Sequence, residues 1–356
     1  STNILLKKNG QNYKGLCPFH SEKTPSFTVS PEKQIYHCFG CGAGGNIFKF
    51  IMEIEDLSFI DAVKKLASKY SIALPTANPN QINAKSNERE ILLSINQKAQ
   101  TYFTRLLKDE KLGLLARNYL KSRGLNDETL LNTYGIGWAA PEWKDTQNYL
   151  QREGKFSQKN ILLAGLIKQK EGGKENDCYD RFRGRIMFPF QDIHGNLIAF
   201  AGRVIGDIEP KYLNSPETQL YIKGNHLFGL NQAKGSIRKQ NRALLVEGYF
   251  DQMRAYQHGI KNTVATCGTA LTAAQASLIK NHTKRVTLIF DSDSAGQAAT
   301  KKGFEVLLEQ GLSVDILSLP SGHDPDSFIH QFGPEKFLEE LKNSKPFIES
   351  YILETV

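Results

Sequence analysis

The chain has 356 residues, 40% hydrophobic and 23% charged, which is room for two or three domains of ordinary soluble composition. No apolar run approaches the roughly 18 residues that a membrane span needs, and Ser1 to Gly10 lacks the apolar core of a secretory signal. Membrane and secreted classes are set aside, and the initial Ser suggests processing or an engineered boundary. A net charge of +8 leans towards a polyanionic partner.

The first informative segment is Cys17-Pro-Phe-His20, followed a hairpin's length later by Cys38-Phe-Gly-Cys41. Two close pairs of soft ligands on either side of a short insert can close on one tetrahedral Zn²⁺, and a Cys₃His set without an open position is structural. A module this small buries little apolar surface, so metal binding supplies folding energy of about 10 kcal/mol or more. His37 adjoins Cys38 and competes with His20; the paired spacing favours His20. Phe27 and Tyr36, interleaved with Lys23 and Lys33, either stack bases of a single strand or form the module's core. The remaining cysteines, Cys178 and Cys267, read as small buried thiols, and the cysteine usage as a whole suits a reducing compartment.

Ser58 precedes an apolar-periodic run (Ile60, Val63, Leu66, Ala67, Tyr70), which predicts a capped helix. Pro75 to Glu88 is polar and contains two prolines, and it reads as a linker. An amphipathic helix is expected from about Arg89 to Asp109, another over Leu112 to Lys121, and a short third one capped by Asn126. From Cys178 the pattern turns β-like, with runs at Ile186–Phe190 and Leu197–Ala201.

From Arg242 short β-branched runs (Leu244–Val246, Thr263–Ala265, Val286–Phe290, Val314–Leu317) alternate with helical stretches, which predicts a mainly parallel sheet. Glu247, Asp291 and Asp293 follow directly on strands, at the carboxyl ends where open α/β sheets place ligand sites. With Asp251, Asp324 and Asp326 they form an oxygen-rich set suited to Mg²⁺ or Mn²⁺. Two ions about 4 Å apart can activate a hydroxyl and stabilise leaving pyrophosphate, and Glu247 can serve as ligand or as general base. Arg203, Lys211 and Lys223 are candidates for template backbone or triphosphate.

These motifs together resemble the DnaG-type bacterial primases. Cys17 to Phe27 with Tyr36 to Gly42 is similar to that family's zinc ribbon. Asp180-Arg-Phe-Arg-Gly-Arg185 and Pro210-Lys-Tyr-Leu-Asn-Ser-Pro216 resemble its RNA-polymerase basic motif, and the acidic clusters resemble its TOPRIM motifs, with Ser292 where many relatives carry Gly. The resemblance implies an α+β multidomain chain: a zinc ribbon over 1–74, a linker over 75–88, and a polymerase subdomain over 89–241. A TOPRIM domain follows over 242–333, and the start of a truncated helical subdomain over 334–356.

It further implies an enzyme, cytoplasmic and nucleoid-associated at replication forks, that makes short RNA primers on single-stranded DNA from ribonucleoside triphosphates. Glu247, Asp291 and Asp293 would be catalytic, with two or more Mg²⁺ or Mn²⁺ and one structural Zn²⁺. Arg181, Arg183 and Asn214 join the nucleic-acid or nucleotide contacts. The family's helicase-binding domain is absent, so docking to the replicative helicase through this chain is not expected. A TOPRIM phosphodiesterase and a non-catalytic DNA-binding module are the rival readings.

Overall fold

The computed structural model describes residues 4–55, 57, 59–70, 72, 79–173, 177–268, 270–289 and 294–347, with the side chains of 60, 79–86 and 294–300 left aside. Two compact units are present, residues 1–83 and 84–356.

The first unit is an antiparallel sheet in chain order, β1 (Lys7–Asn9), β2 (Asn12–Gly15), β3 (Phe27–Ser30), β4 (Ile35–Cys38) and β5 (Gly44–Asn46), followed by α1 (Ile47–Glu55) and α2 (Phe59–Lys69). The β1–β2 turn carries Asn9-Gly10, with Gly10 at φ +63°, the left-handed conformation that a tight hairpin requires. Helix α2 matches the expected run; its expected cap, Ser58, lies outside the described residues.

Helix α3 (Pro79–Lys108), most of which belongs to the second unit, begins ten positions before the expected start at Arg89. Pro79 is acceptable at a first helical position and no glycine interrupts 79–108, so the helix extends through polar sequence without apolar periodicity. Its buried stripe is Leu92, Ile95, Ala99, Phe103 and Leu106, the spacing of one helical face. There follow α4 (Leu114–Ser122), α5 (Glu128–Tyr134), β6 (Gly137–Ala139), α6 (Asp145–Arg152), α7 (Gln158–Leu163), β7 (Ile167–Gln169) and β8 (Cys178–Asp180). The cap of α5 is Asp127, not Asn126: its carboxylate accepts from the backbone N–H groups of Thr129 and Leu130, and an ionised acceptor at that site also suits the helix dipole.

Strands β9 (Arg185–Gln191), β10 (Leu197–Val204) and β11 (Tyr212–Asn214) join β6 in an antiparallel sheet of order β11-β10-β9-β6. Its two central strands are buried almost throughout because both faces are covered. Phe103 of α3 meets Phe200 edge-on at 5.5 Å, and Phe188 meets Tyr249 at 5.1 Å.

Next come α8 (Leu230–Gln240), β12 (Ala243–Val246), α9 (Tyr249–Gln257), β13 (Thr263–Ala265), α10 (Ala273–Lys280), β14 (Arg285–Leu288), α11 (Ser294–Glu309), β15 (Ser313–Ile316), α12 (Pro325–Phe332), α13 (Pro334–Lys342) and β16 (Lys345–Pro346). The sheet runs β13-β12-β14-β15-β16, with parallel pairing except at β16. Along β12, Leu244 and Val246 face one core and Ala243 and Leu245 the other, the period-two alternation of a strand covered on both sides. The described part of the stretch from 334, expected to be the start of a truncated helical subdomain, packs on the TOPRIM-side elements. Phe337 and Leu341 of α13 join the main core, and Lys345 and Pro346 pair with β15. The i, i+4 apolar pair gives α13 a face that only burial satisfies.

Candidate functional site

Cys17, His20, Cys38 and Cys41 bring their donor atoms within 4.8 Å of one another. Cys17 Sγ and Cys41 Sγ are 3.8 Å apart, as are Cys38 Sγ and His20 Nδ1. The edge of a tetrahedron around Zn²⁺ with ~2.3 Å Zn–S bonds is about 3.8 Å, so the donors fit one zinc ion. The histidine of this cluster is His20; His37 is exposed and its ring meets Phe39 at 4.7 Å.

The orientation of His20 is fixed from behind: its Nε2 faces Glu22 Oε2 at 3.3 Å, which leaves Nδ1 for the metal. Glu22 also accepts the backbone N–H of Cys17 at 2.7 Å and of Ser26 at 3.1 Å. Gly40 closes the knuckle because a Cβ there would stand 2.7 Å from His20 Nε2. Burial pushes the Cys17 thiol up to about 12. Burial acts the same way on Cys38, but the Ser26 hydroxyl and the N–H groups of Cys41 and Gly40 outweigh it and bring that thiol down to about 6.

Phe27 and Tyr36, left open between base stacking and core, belong to the core. They are 1% and 5% exposed and pack with Phe19 and Phe50 at ring separations of 5.3 to 6.3 Å. Phe39, by contrast, is 75% exposed.

In the second unit the strand order places β13 and β14 on opposite sides of β12, so the switch point lies at the carboxyl ends of β12 and β14. Glu247, half-buried, directly follows β12, and its carbonyl accepts the Cys267 N–H at 2.9 Å. Asp291, Ser292 and Asp293 lie outside the described residues. Asp251 sits in the first turn of α9, where Oδ2 accepts the Gly248 N–H at 2.9 Å and Oδ1 accepts the Asp326 N–H at 3.1 Å. Asp324 caps α12 by accepting the Ser327 N–H at 2.7 Å. Asp326 pairs with Arg254, Oδ1 to Nε at 2.8 Å, and with Arg123 through Oδ2. Neither arginine was visible as a partner in the sequence, because no spacing rule joins them to Asp326.

The antiparallel sheet presents its basic residues to this end through Asn214. The backbone carbonyl of Asn214 accepts Nε and Nη2 of Arg181 at 3.1 and 3.0 Å. Its Oδ1 accepts the Tyr249 hydroxyl at 2.8 Å, and its Nδ2 reaches the Cys267 carbonyl at 3.5 Å. Lys223 Nζ donates to the Gly268 carbonyl at 3.1 Å, on the same loop that meets Glu247. Arg203 is 9% exposed, donates Nε–H to the Tyr119 hydroxyl at 2.7 Å, and lies 5.2 Å from the ring centroids of Tyr119, Tyr212 and Phe250. Lys211 is exposed on the approach to β11. Arg183 stacks on Trp143 at 4.1 Å and Tyr179 at 5.1 Å. Cys178 and Cys267 are buried, as expected.

Comparison with known proteins agrees with this layout. Family models match at residues 1–82 (CHC2 zinc finger), 102–234 (DNA primase catalytic core, N-terminal domain) and 244–329 (Toprim-like). A DNA primase of Clostridium acetobutylicum is 43% identical over 98% of this chain and 57% of its own length. One of Halalkalibacterium halodurans is 42% identical over 95% of this chain and 56% of its own. The chain thus spans little more than half the length of the curated relatives it matches. Among solved structures, the zinc-binding and RNA polymerase domains of Aquifex aeolicus primase share 35% identity at a TM-score of 0.67, over 98% of this chain and 82% of that one. A DnaG primase catalytic domain bound to single-stranded DNA shares 33% identity at a TM-score of 0.69, covering 76% and 85%. With its zinc ribbon, catalytic-core and Toprim segments in the same order as these relatives, the chain belongs to the DnaG-type bacterial primase family.

Proposed function

We propose that the chain is a DNA primase, joining ribonucleotides on a single-stranded DNA template with release of pyrophosphate, in the cytoplasm at replication forks. The observation that carries this reading is the contact set of Asn214, which ties the basic strand β11 to the loop and helix flanking Glu247.

Glu247 with Asp291, Asp293 and Asp324 would hold Mg²⁺ or Mn²⁺, which would supply the Lewis acid for phosphoryl transfer. The residues of the chain do the rest. Arg203, Lys211 and Lys223 bind phosphate oxygens and offset charge that develops in the transition state. Arg181 and Arg183, on the segment that leads into β9, bind the template strand. Burial of Arg203 against three aromatic rings fixes its guanidinium before substrate arrives, which lowers the cost of ordering it on binding. The zinc unit selects the initiation site.

The test is ribonucleotide incorporation on a single-stranded DNA library with Mg²⁺, comparing the chain with Glu247→Gln. Short template-dependent RNAs that disappear in the variant are expected. Template cleavage without synthesis would instead favour a phosphodiesterase.

A further inference from the structure

Asp326 lies in α12, after the last parallel strand β15, in a position that invites assignment as a metal ligand, yet its surroundings do not suit one. The carboxylate is 3% exposed, with Oδ1 on Arg254 Nε at 2.8 Å and Oδ2 on Arg123 Nη2. A magnesium ligand turns an oxygen towards a hydrated cation, whereas here both oxygens are turned to guanidinium groups whose charge outweighs that of the carboxylate. Its backbone N–H is held by Asp251, whose other oxygen holds Gly248, the residue after Glu247. Asp326 is therefore built into the support of the Glu247 loop.

The two arginines differ. Arg254 is 3% exposed and also donates to the carbonyls of Gly124 and Arg123, so it is internal scaffolding. The side chain of Arg123 is 37% exposed, and its guanidinium lies 5.2 Å from the ring centroid of Phe250, the ring that Arg203 also approaches at 5.2 Å. Two guanidinium groups thus share one aromatic ring three positions beyond Glu247. Arg123 has the Asp326 carboxylate as its ion-pair partner, with the Asp324 carboxylate acting on it electrostatically, and Arg203 donates to a tyrosine hydroxyl. Such a pair suits an anion with several oxygens.

We propose that Asp326 is a positioning residue rather than a metal ligand: it fixes Arg123 at the Phe250 ring that Arg203 also approaches, so that the two guanidinium groups receive the triphosphate of an incoming nucleotide. The identity of the anion rests on the primase reading; the placement of Asp326 does not.

The experiment uses the zinc-loaded chain and three variants, Asp326→Asn, Arg123→Gln and Glu247→Gln. Mn²⁺ affinity is read from the electron paramagnetic resonance of free ion, and GTP affinity by equilibrium dialysis at saturating Mn²⁺. Asp326→Asn and Arg123→Gln are expected to keep Mn²⁺ affinity within about twofold and to weaken GTP roughly tenfold, the loss of one charge-assisted contact. Glu247→Gln is expected to weaken Mn²⁺. A tenfold loss of Mn²⁺ affinity in Asp326→Asn, or unchanged GTP affinity in Arg123→Gln, overturns the assignment. If Asp326→Asn does not fold, Arg123→Gln decides alone, because it leaves the Arg254–Asp326 pair in place. Should the wild type bind GTP in this pattern but make no RNA, the primase reading fails and the role of Asp326 stands.

Discussion

Glu22 Oε2 stands 3.3 Å from His20 Nε2, on the edge of the ring turned away from the thiolates. A carboxylate so placed sets the tautomer of a ligating histidine and raises its basicity. Glu22→Ala is expected to lower zinc affinity by about 10- to 100-fold, measured by competition with a chromophoric chelator. Retention of full affinity would reduce Glu22 to a turn-former for Cys17 and Ser26.

Of the two tryptophans in the chain, Trp138 is 3% exposed and Trp143 is 62% exposed. Quenching of fluorescence by single-stranded DNA therefore reports on Trp143, which carries Arg183 on its face. Base stacking on an aromatic contributes about 1–3 kcal/mol, so Trp143→Ala is expected to weaken oligothymidylate binding by roughly five- to a hundredfold. Quenching that leaves affinity unaltered in the alanine variant would place the strand elsewhere.

The buried pair of Arg254 and Asp326 sets a stability expectation. Arg254→Met strips Asp326 of one partner and removes the Arg254 donor from the Arg123 carbonyl and from the Gly124 carbonyl, which keeps only Gln257. The cost is about 3–5 kcal/mol, seen as a lowered urea midpoint. Arg254→Lys should not rescue it, since one ammonium cannot span three acceptors in the geometry of the planar fork.

His282 gives stability a pH dependence. Burial, helped by the Arg238 and Lys234 cations, pulls its imidazole down to about 4, against roughly 6.5 when unfolded. The folded state thus disfavours the proton: its contribution is complete above about pH 6.5 and is lost as pH falls towards 4. His282→Gln should flatten the melting temperature across that window, and an unchanged slope would place the titration at other groups.

Local chemistry was legible in the sequence. Both ligand pairs of the zinc centre, the βα alternation, and Glu247 at a strand end follow from spacing and burial pattern alone. What was hidden depended on partners remote in the chain. Arg123 is 203 positions from Asp326 and Arg254 is 72, so the sequence displays the Asp-Pro-Asp carboxylates without the two arginines that Asp326 meets. Phe27 and Tyr36 carry the same pattern whether they stack on bases or on one another. The polar start of α3 has no periodicity to betray it, because its helical form is inherited from the turn that follows.

One core runs from Leu92 through the strands of the antiparallel sheet to Val246, Phe250 and Met253. Phe188 touches both Tyr249 and Phe250, and Phe190 meets Phe228. The boundary that the family models draw between 234 and 244 therefore passes through shared packing and is not a place where the molecule comes apart. A fragment ending there would leave a sheet with one wet, aromatic face and should be insoluble, whereas residues 84–356 together should melt in a single calorimetric transition.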